Sequence, residues 1–327
     1  MANNHPQFIA FYDTICVTDT QESTLRTNRN VIRKKIQSYY SSHYPEEIQP
    51  RFSWQGSFAM KTILNPIKDE DGLGAYDLDD GVYFISKNES DCLSVDEYHT
   101  RILEAIKGHT STGEEDNDPC ITVLYADGHH VDLPIYFKID EENTHPKLAH
   151  KKKGWIESDP KEFYQWFNGR SEHPQLRRLV RYLKAWCEYL RYEKGKNMPT
   201  GCIMTMLAVK YYTADNRDDV ALQKILTAMY DDLSPEGGFH CYRPTFPVNE
   251  DLFKSYTEAR KNIFLTELKS FKADAEKAIA STNPHDACLK WQKHFGNRFC
   301  CSTAKDEDED AREQKSTRTL KTNSNFA

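Results

Sequence analysis

Three aspartates lie among four residues in the segment DLDDGVYF, where a strand-like run begins. Alternate residues of a strand share a face, so Asp77 and Asp79 point to one side and Asp80 points to the other. Two carboxylates a few ångström apart repel each other unless a cation neutralises them. Hard oxygen ligands suit Mg²⁺, which commonly binds one or two carboxylates together with substrate phosphates. The spacing therefore favours a metal site that contains Asp77 and Asp79 and leaves Asp80 out.

A third carboxylate is available from a second strand-like run, HVDLPIYF at 130–137. The apolar residues of this run alternate onto one face, which leaves Asp132 as a lone acid on the opposite face. Three such acids can hold two metal ions, which stabilise the attacking and leaving oxygens of an in-line phosphoryl displacement. One acid can also accept the proton of an attacking hydroxyl.

A Gly-Ser pair stands about twenty residues before the acids. Gly56 lets the backbone approach a triphosphate, and Ser57 offers a hydroxyl and backbone N–H groups as donors. Lys61 and Thr62 can add a positive charge and a further donor. Alone, DLDDG is also typical of a solvated turn. The upstream Gly-Ser pair and the distant strand aspartate together favour a phosphate and metal site.

The first half of the chain supplies the elements that position these residues. Most of residues 1–50 has a helical pattern, and a further helix is predicted at 94–109. Strands are predicted at 81–86, 120–126 and 130–137. The Asp127-Gly128 turn signal between the last two strands predicts a hairpin.

The second half has an almost wholly helical pattern, after a polar and basic stretch at 140–154. Helices are predicted at 160–168, 174–194, 200–213, 218–230, 250–281 and 285–295. We therefore predict an α+β fold: a catalytic core with an N-terminal helix at 1–150 and a helical lobe at 151–301. Residues 302–327 are almost free of apolar side chains and are predicted to be a disordered tail.

Three bases lie together on the predicted helix 174–194. An apolar stripe packs this helix on the core, and Arg177, Arg181 and Lys184 follow at i, i+4 and i+7 beside that stripe. They are thus candidates to face the acids across a cleft. The alternative is a set of surface charges, with Glu188 as the ion-pair partner of Lys184.

Bulk composition limits the functional class. Of 327 residues, 38% are hydrophobic and 28% are charged, and no apolar run of 18 residues or signal-peptide pattern is present, which predicts a soluble cytoplasmic protein without a membrane partner. The net charge of −7 argues against a protein that coats long nucleic acid. Nine cysteines without a CxxC pair favour reduced thiols over a disulfide framework.

The motifs QGSF, DLDDGVYF and VDLPIYF resemble the nucleotidyltransferase signature of the DNA polymerase β superfamily. In detail they resemble the bacterial cyclic-oligonucleotide synthases related to cyclic GMP–AMP synthase and oligoadenylate synthase (CD-NTases). The likeness continues in GWIESDP, LRRLVRYLKAW, NEDLF and WQKHFGNRF, and covers most of residues 50–300. It implies a polymerase β-like mixed sheet followed by a helical lobe.

The resemblance also implies a set of site residues. Asp77, Asp79 and Asp132 would be catalytic and would hold Mg²⁺ or Mn²⁺. Lys184 matches a lysine that contacts the triphosphate in the family. The expected nucleotide-binding set is Gln55, Gly56, Ser57, Lys61, Arg181 and Lys184, with ATP, GTP or other nucleoside triphosphates as substrates.

The implied activity is condensation of nucleoside triphosphates into a cyclic di- or trinucleotide messenger in phage defence. One alternative is a linear transferase acting on RNA, tRNA or protein, which would be expected to carry a broader basic track. Another is a catalytically silent nucleotide-binding scaffold. The resemblance further implies a ubiquitin-transfer-like or HORMA-type regulatory partner, with Ala327 as the end of an accessible tether.

Overall fold

One long strand, β2 (Tyr76–Ser86), organises the sheet of this protein in the computed structural model, which describes residues 1–141, 144–234 and 238–307. The other strands are β1 (Arg51–Trp54), β3 (Glu114–Asp116), β4 (Ile121–Leu124), β5 (His129–Leu133), β6 (Ile135–Ile139), β7 (Lys147–His150) and β8 (Gly154–Glu157). The strand order is β3-β4-β5-β2-β6-β7-β8, and β1 pairs antiparallel with β2 off this path. Strand β2 is parallel to β5 and β6, so the sheet is mixed.

The run predicted as one strand at 130–137 is divided into β5 and β6 by Pro134, which has no N–H to donate. Its register with β2 is unbroken: Tyr76 faces His129 and Val82 faces Ile135, an offset of 53 residues on both sides of the proline. The Val82 N–H donates to the Pro134 carbonyl at 2.9 Å and bridges the interruption. The predicted hairpin between β4 and β5 is confirmed by their antiparallel pairing.

Two helices, α2 (Asp19–His43) and α4 (Val95–Ile106), pack on the strands. Helix α2 begins with a capping box, in which the Thr18 hydroxyl accepts from the Gln21 N–H and the Gln21 side chain accepts from the Thr18 N–H. Its apolar face enters a core shared with β2 and α4. This packing fixes the side of β2 that faces away from the cleft.

The helical half surrounds a central helix, α6 (Pro174–Lys194), with a nearly continuous buried face. The other helices are α1 (His5–Ile15), α3 (Gly56–Ala59), α5 (Pro160–Arg170), α7 (Gly201–Tyr211), α8 (Asp218–Leu233), α9 (Glu258–Ala280) and α10 (Pro284–Phe295). Helix α9 begins later than the predicted residue 250, because Thr257 caps it and accepts from the Arg260 N–H. Together with the sheet, these helices confirm the predicted fold class.

The predicted boundary at residue 150 falls between β7 and β8, which pair with each other and continue the sheet to residue 157. Short strands in a polar stretch carry little apolar alternation, so the sequence indicated a linker there. Helix α1, placed by sequence with the catalytic core, buries Phe8, Phe11 and Ile15 in the helical half. Among the described residues, no helix combines the length and the apolar character needed to cross a bilayer.

A disulfide joins Cys288 on α10 to Cys301, which corrects the expectation of reduced thiols for this pair. The two residues are 13 positions apart, and the turn after α10 brings them together. Just beyond, the Thr303 hydroxyl accepts from the Gln7 amide at 3.1 Å. Of the tail predicted from residue 302, the part 308–327 lies outside the described residues.

Candidate active site

The carboxylates of Asp77, Asp79 and Asp132 meet where β2 lies beside β5. Asp79 is the register partner of Asp132, and Asp77 precedes it by one strand period. One oxygen from each carboxylate lies within 4.8 Å of the other two. The structure therefore brings the three predicted acids into one cluster that could hold a metal ion.

Asp80 lies on the opposite side of β2, as strand alternation predicts. Its side chain is fully buried, and Arg33 of α2 donates to both carboxylate oxygens, through Nε to Oδ2 at 2.6 Å and through Nη2 to Oδ1. The guanidinium also stacks over the Phe52 ring at 5.2 Å. Asp80 is thus neutralised inside the protein and does not belong to the cluster.

The clustered acids are electrostatically unfavourable without a cation. Burial raises the pKa of Asp79 well above its usual value, and the charges of Asp77 and Asp132 raise this pKa further, while Lys184 lowers it. Burial also raises the pKa of Asp132, against a hydrogen bond of 2.6 Å donated by the Thr122 hydroxyl. Because a divalent cation would relieve both effects and hard oxygens are its preferred ligands, the donor set fits Mg²⁺ or Mn²⁺.

Gly56 lies directly against the acid cluster. A Cβ atom at this position would stand 1.8 Å from the Asp79 Oδ2 atom, and the backbone φ of +65° is itself unfavourable for other residues. The neighbouring Gln55 N–H donates to the Asp79 carbonyl at 3.0 Å and fastens the turn to β2. Glycine is therefore required here so that the backbone before Ser57 can approach the carboxylates.

The Gln55 side chain is buried in the floor of the cleft. Its amide donates to the Tyr136 hydroxyl at 3.0 Å and its carbonyl oxygen accepts from the Tyr83 hydroxyl at 3.4 Å. The two tyrosine rings stack with centroids 4.7 Å apart. These hydrogen bonds hold Gln55, and with it the start of the Gly-Ser turn, against the sheet. A direct contact between Gln55 and nucleotide stays a prediction.

The three predicted bases of α6 all donate to backbone carbonyls in the turn that follows α3. The pairs are Arg177 with Met60 at 3.3 Å, Arg181 with Ile63 at 3.1 Å and Lys184 with Thr62 at 2.8 Å. We call these contacts the α6 ladder. They attach the turn after Ser57 to the helical half. The sequence predicts that these three basic residues lie on one side of α6, but it does not identify the carbonyl groups that accept their hydrogen bonds.

Among these bases, Lys184 lies within the cleft, where it lines the space together with Ser57 and Asp77. Burial lowers the pKa of Lys184 to about 8. The negative charge of Asp77 opposes this shift, and the positive charge of Arg181 adds to it. Arg181 is buried, and its Nη1 donates to the Tyr12 hydroxyl at 2.9 Å, so its donors are directed into the protein. Lys61 is exposed and does not line the cleft, and its role stays a prediction.

The cleft itself has a volume of about 460 Å³, and residues of the helical half form part of its wall. Its wall contains residues that the sequence did not single out: Ser158, Phe163, Tyr164, Thr205 and Arg243. Ser158 lies within the recognisable segment GWIESDP and α5 begins at its last residue, whereas Arg243 stands in an irregular segment with no periodic signal.

A second chamber of about 250 Å³ continues beyond Lys184 along Glu188 and Arg191. The Ile67 N–H donates to Glu188 at 2.9 Å, and Arg298 donates to the other oxygen of this carboxylate at 2.5 Å. Glu188 therefore stabilises the rim segment, and its partner is Arg298 instead of the Lys184 suggested by helical spacing.

Residues 50–136 match the family model described as the nucleotidyltransferase domain of cyclic GMP-AMP synthase DncV-like proteins. A cyclic GMP-AMP synthase from Escherichia albertii is 29% identical over 187 residues, which cover 54% of this chain and 41% of that enzyme. The chain therefore spans less than half the length of this relative.

Solved structures of Vibrio cholerae DncV share the fold over most of both chains. The cyclic AMP-GMP synthase structure aligns with a TM-score of 0.73 at 18% identity and covers 92% of this chain and 98% of that one. The apo form aligns with a TM-score of 0.75, also at 18% identity, over 91% and 96% of the two chains. The matched family domain contains the Gly-Ser turn and all three clustered acids. Together, these matches show that residues 50–136 resemble a DncV-like nucleotidyltransferase domain and that the whole chain has the fold of Vibrio cholerae DncV.

Proposed function

We propose that this protein condenses nucleoside triphosphates into a cyclic di- or trinucleotide and releases pyrophosphate. The observation that carries the proposal is the cluster of Asp77, Asp79 and Asp132 within 4.8 Å, in one cleft with the half-buried Lys184. Acids alone would fit many hydrolases. Acids beside a glycine turn and a cationic side chain fit the transfer of a nucleotidyl group from a triphosphate.

Different residues of the cleft bind different parts of the substrate. The Gly56 backbone and the Ser57 hydroxyl receive the triphosphate, and protonated Lys184 offsets its charge from the helical half. Asp77, Asp79 and Asp132 would hold Mg²⁺ or Mn²⁺, which supplies charge stabilisation to the attacking and leaving oxygens when bound. The α6 ladder keeps the turn and Lys184 at a fixed separation.

Asp132 is the acid best placed to accept a proton. Its Oδ1 atom accepts a hydrogen bond from the Thr122 hydroxyl at 2.6 Å, which orients the carboxylate and leaves Oδ2 to accept the proton. A ribose hydroxyl of a second nucleotide attacks the α-phosphorus, its proton passes to Asp132, and a new oxygen–phosphorus bond forms. The bond from the α-phosphorus to the bridging oxygen breaks, and pyrophosphate departs with that electron pair.

A second transfer within the linear product would close the ring. The relatives support this outcome by their own names: the Escherichia albertii protein is a cyclic GMP-AMP synthase, and one Vibrio cholerae DncV structure contains the linear intermediate 5′ pppA(3′,5′)pG. The net charge of −7 also suits small nucleotides such as ATP and GTP better than long RNA. A product of this kind would act as a messenger in phage defence.

The proposal is tested by incubating the protein with labelled ATP and GTP and Mg²⁺, followed by phosphatase treatment and chromatography. A phosphatase-resistant product supports ring closure. Product formed only after RNA, tRNA or an acceptor protein is added would support the linear transferase. No conversion of the nucleotides with Mg²⁺ or with Mn²⁺ would support the silent scaffold.

A regulatory partner at the C-terminal end belongs to the same proposal. Ala327 and its neighbours lie outside the described residues, so the ubiquitin-transfer-like or HORMA-type partner is an inference from the family alone. Mass spectrometry of the protein isolated from its native host would detect a conjugate through Ala327. Unconjugated protein before and during phage infection would contradict the conjugation.

A further inference from the structure

A second group of potential metal ligands lies outside the three-acid cluster, at the start of α5. The ligand atoms of His145, Asp159 and Glu162 all lie within 4.8 Å of one another. His145 Nδ1 is 2.9 Å from the nearer Asp159 oxygen and 3.9 Å from the nearer Glu162 oxygen. We propose that these three side chains bind a divalent transition-metal ion of the zinc class.

The donor set separates this site from the three-acid cluster. An imidazole nitrogen with two carboxylates suits Zn²⁺ and its neighbours, whereas a cluster with oxygen donors alone suits Mg²⁺ or Mn²⁺. Zinc–ligand bonds to nitrogen and oxygen are about 2.0–2.2 Å, which places ligand atoms around one ion roughly 3–3.6 Å apart. The observed separations of 2.9 and 3.9 Å bracket this range. Small side-chain rotations would therefore complete the site.

Each ligand is already oriented by the surrounding structure. The His145 ring stacks flat on Phe246, with centroids 3.8 Å apart and an interplanar angle of 6°. Asp159 uses Oδ1 to cap α5 by accepting the Glu162 N–H at 2.9 Å, which leaves Oδ2 directed to the imidazole. Glu162 Oε2 accepts the Phe246 N–H at 2.9 Å. Such supporting contacts are typical of metal ligands.

A simpler arrangement elsewhere in the chain provides a comparison. His240 and Asp251 form an imidazole–carboxylate pair at 2.8 Å, and no third ligand joins them among the described residues. If the cluster at α5 were only a hydrogen-bonded pair, it would behave as this pair does. The proposal therefore predicts a difference in metal affinity between two His–Asp pairs of nearly equal geometry.

The site has a clear structural consequence. Ser158 and Pro160, on either side of Asp159, line the candidate active-site cleft, as does Phe163 next to Glu162. The segment held through Phe246 also carries Arg243, which lines the same cleft. A bound ion would therefore hold the segment of His145 against the start of α5, and through Glu162 it would also hold the segment of Phe246. The three acids of the active-site cluster would remain available for a separate metal ion.

The test uses Zn²⁺ alone as the probe. Isothermal titration of the full chain with Zn²⁺, in excess Mg²⁺ to occupy the three-acid cluster, is expected to show one saturable site. His145→Gln and Glu162→Gln should each weaken Zn²⁺ binding by about tenfold or more, because each removes one of three ligands. His240→Gln should leave the affinity unchanged. Circular dichroism checks that the variants remain folded.

Two further measurements test whether Zn²⁺ binds at His145 and not at an exposed thiol. Zn²⁺ should raise the melting temperature of the wild-type protein and of the His240→Gln variant but not that of the His145→Gln variant. Cys300→Ser, which removes an exposed thiol, should retain the Zn²⁺ affinity. Absence of a saturable site in the wild type, equal affinity in His145→Gln, or loss of binding in Cys300→Ser would each overturn the proposal.

Discussion

Asp79 and Asp80 are adjacent on β2, yet the protein places them in opposite electrostatic environments. Asp80 is fully buried and receives two hydrogen bonds from Arg33. Asp79 lies beside Asp77 and Asp132 in the acid cluster, where burial and like charges raise its pKa. The same chemical change at these two positions should therefore have opposite effects on stability.

Asp80→Asn is expected to destabilise the protein. Removing one partner of a buried ion pair typically costs about 3–5 kcal/mol, and the lower figure applies here because the Arg33 side chain retains 25% of its exposure. Urea unfolding at neutral pH measures the change. An unfolding midpoint equal to that of the wild type would show that the Arg33–Asp80 pair does not stabilise the fold.

Asp79→Asn is expected to stabilise the metal-free protein and abolish turnover. The folded-state pKa of Asp79 is raised, so its stabilising contribution is present at low pH and lost as pH rises through that pKa. Above that pKa the ionised group is a penalty, and its removal should raise the unfolding free energy of the metal-free protein. Excess Mg²⁺ should stabilise the wild type more than the variant. A variant less stable than the wild type without metal would contradict this account.

Arg181→Met tests whether this residue positions the turn or binds nucleotide. The guanidinium donates to the Ile63 carbonyl and to the Tyr12 hydroxyl, so its loss should lower stability by about 2–4 kcal/mol without any nucleotide present. The KM for nucleoside triphosphate should also rise. Lys194→Met, on the exposed end of α6, is the control and should change neither quantity. A raised KM with unchanged stability would instead indicate direct nucleotide contact by Arg181.

Lys184 should make nucleotide affinity depend on pH. Its pKa of about 8 means that the ammonium form, which attracts the triphosphate, is lost as pH rises above this value. The affinity for a nonhydrolysable ATP analogue should then fall by up to about tenfold per pH unit. Lys184→Arg keeps its charge throughout this range and should show a flatter profile. An equally steep profile in Lys184→Arg would assign the pH dependence to another group.

Much of the acid cluster could be predicted from local patterns. Strand alternation alone separates Asp79 from Asp80, and the apolar face of the run around Asp132 places its carboxylate on the other side. These inferences hold because the side-chain period of a strand is two and survives the interruption at Pro134. The stripe of α6 was predictable for a similar reason.

Other features depend on contacts between distant segments and could not be obtained from one sequence. The acceptor of Arg181 is a carbonyl 118 residues away, and its identity follows from how the two halves pack. The Cys288–Cys301 bond depends on the path of the turn after α10. Strands β7 and β8 have only four residues each, so pairing within the sheet outweighs their weak individual patterns.

The central claim is that the three-acid cluster performs metal-dependent nucleotidyl transfer, and Asp132→Asn tests it most directly. Pyrophosphate release from ATP and GTP with Mg²⁺ should be measured for the wild type and this variant, after circular dichroism has confirmed that both are folded. The account predicts release by the wild type and at least about a hundredfold slower release by Asp132→Asn, because the variant loses both a metal ligand and the proton acceptor. Full turnover by Asp132→Asn, or no release by the wild type with Mg²⁺ or Mn²⁺, would contradict it.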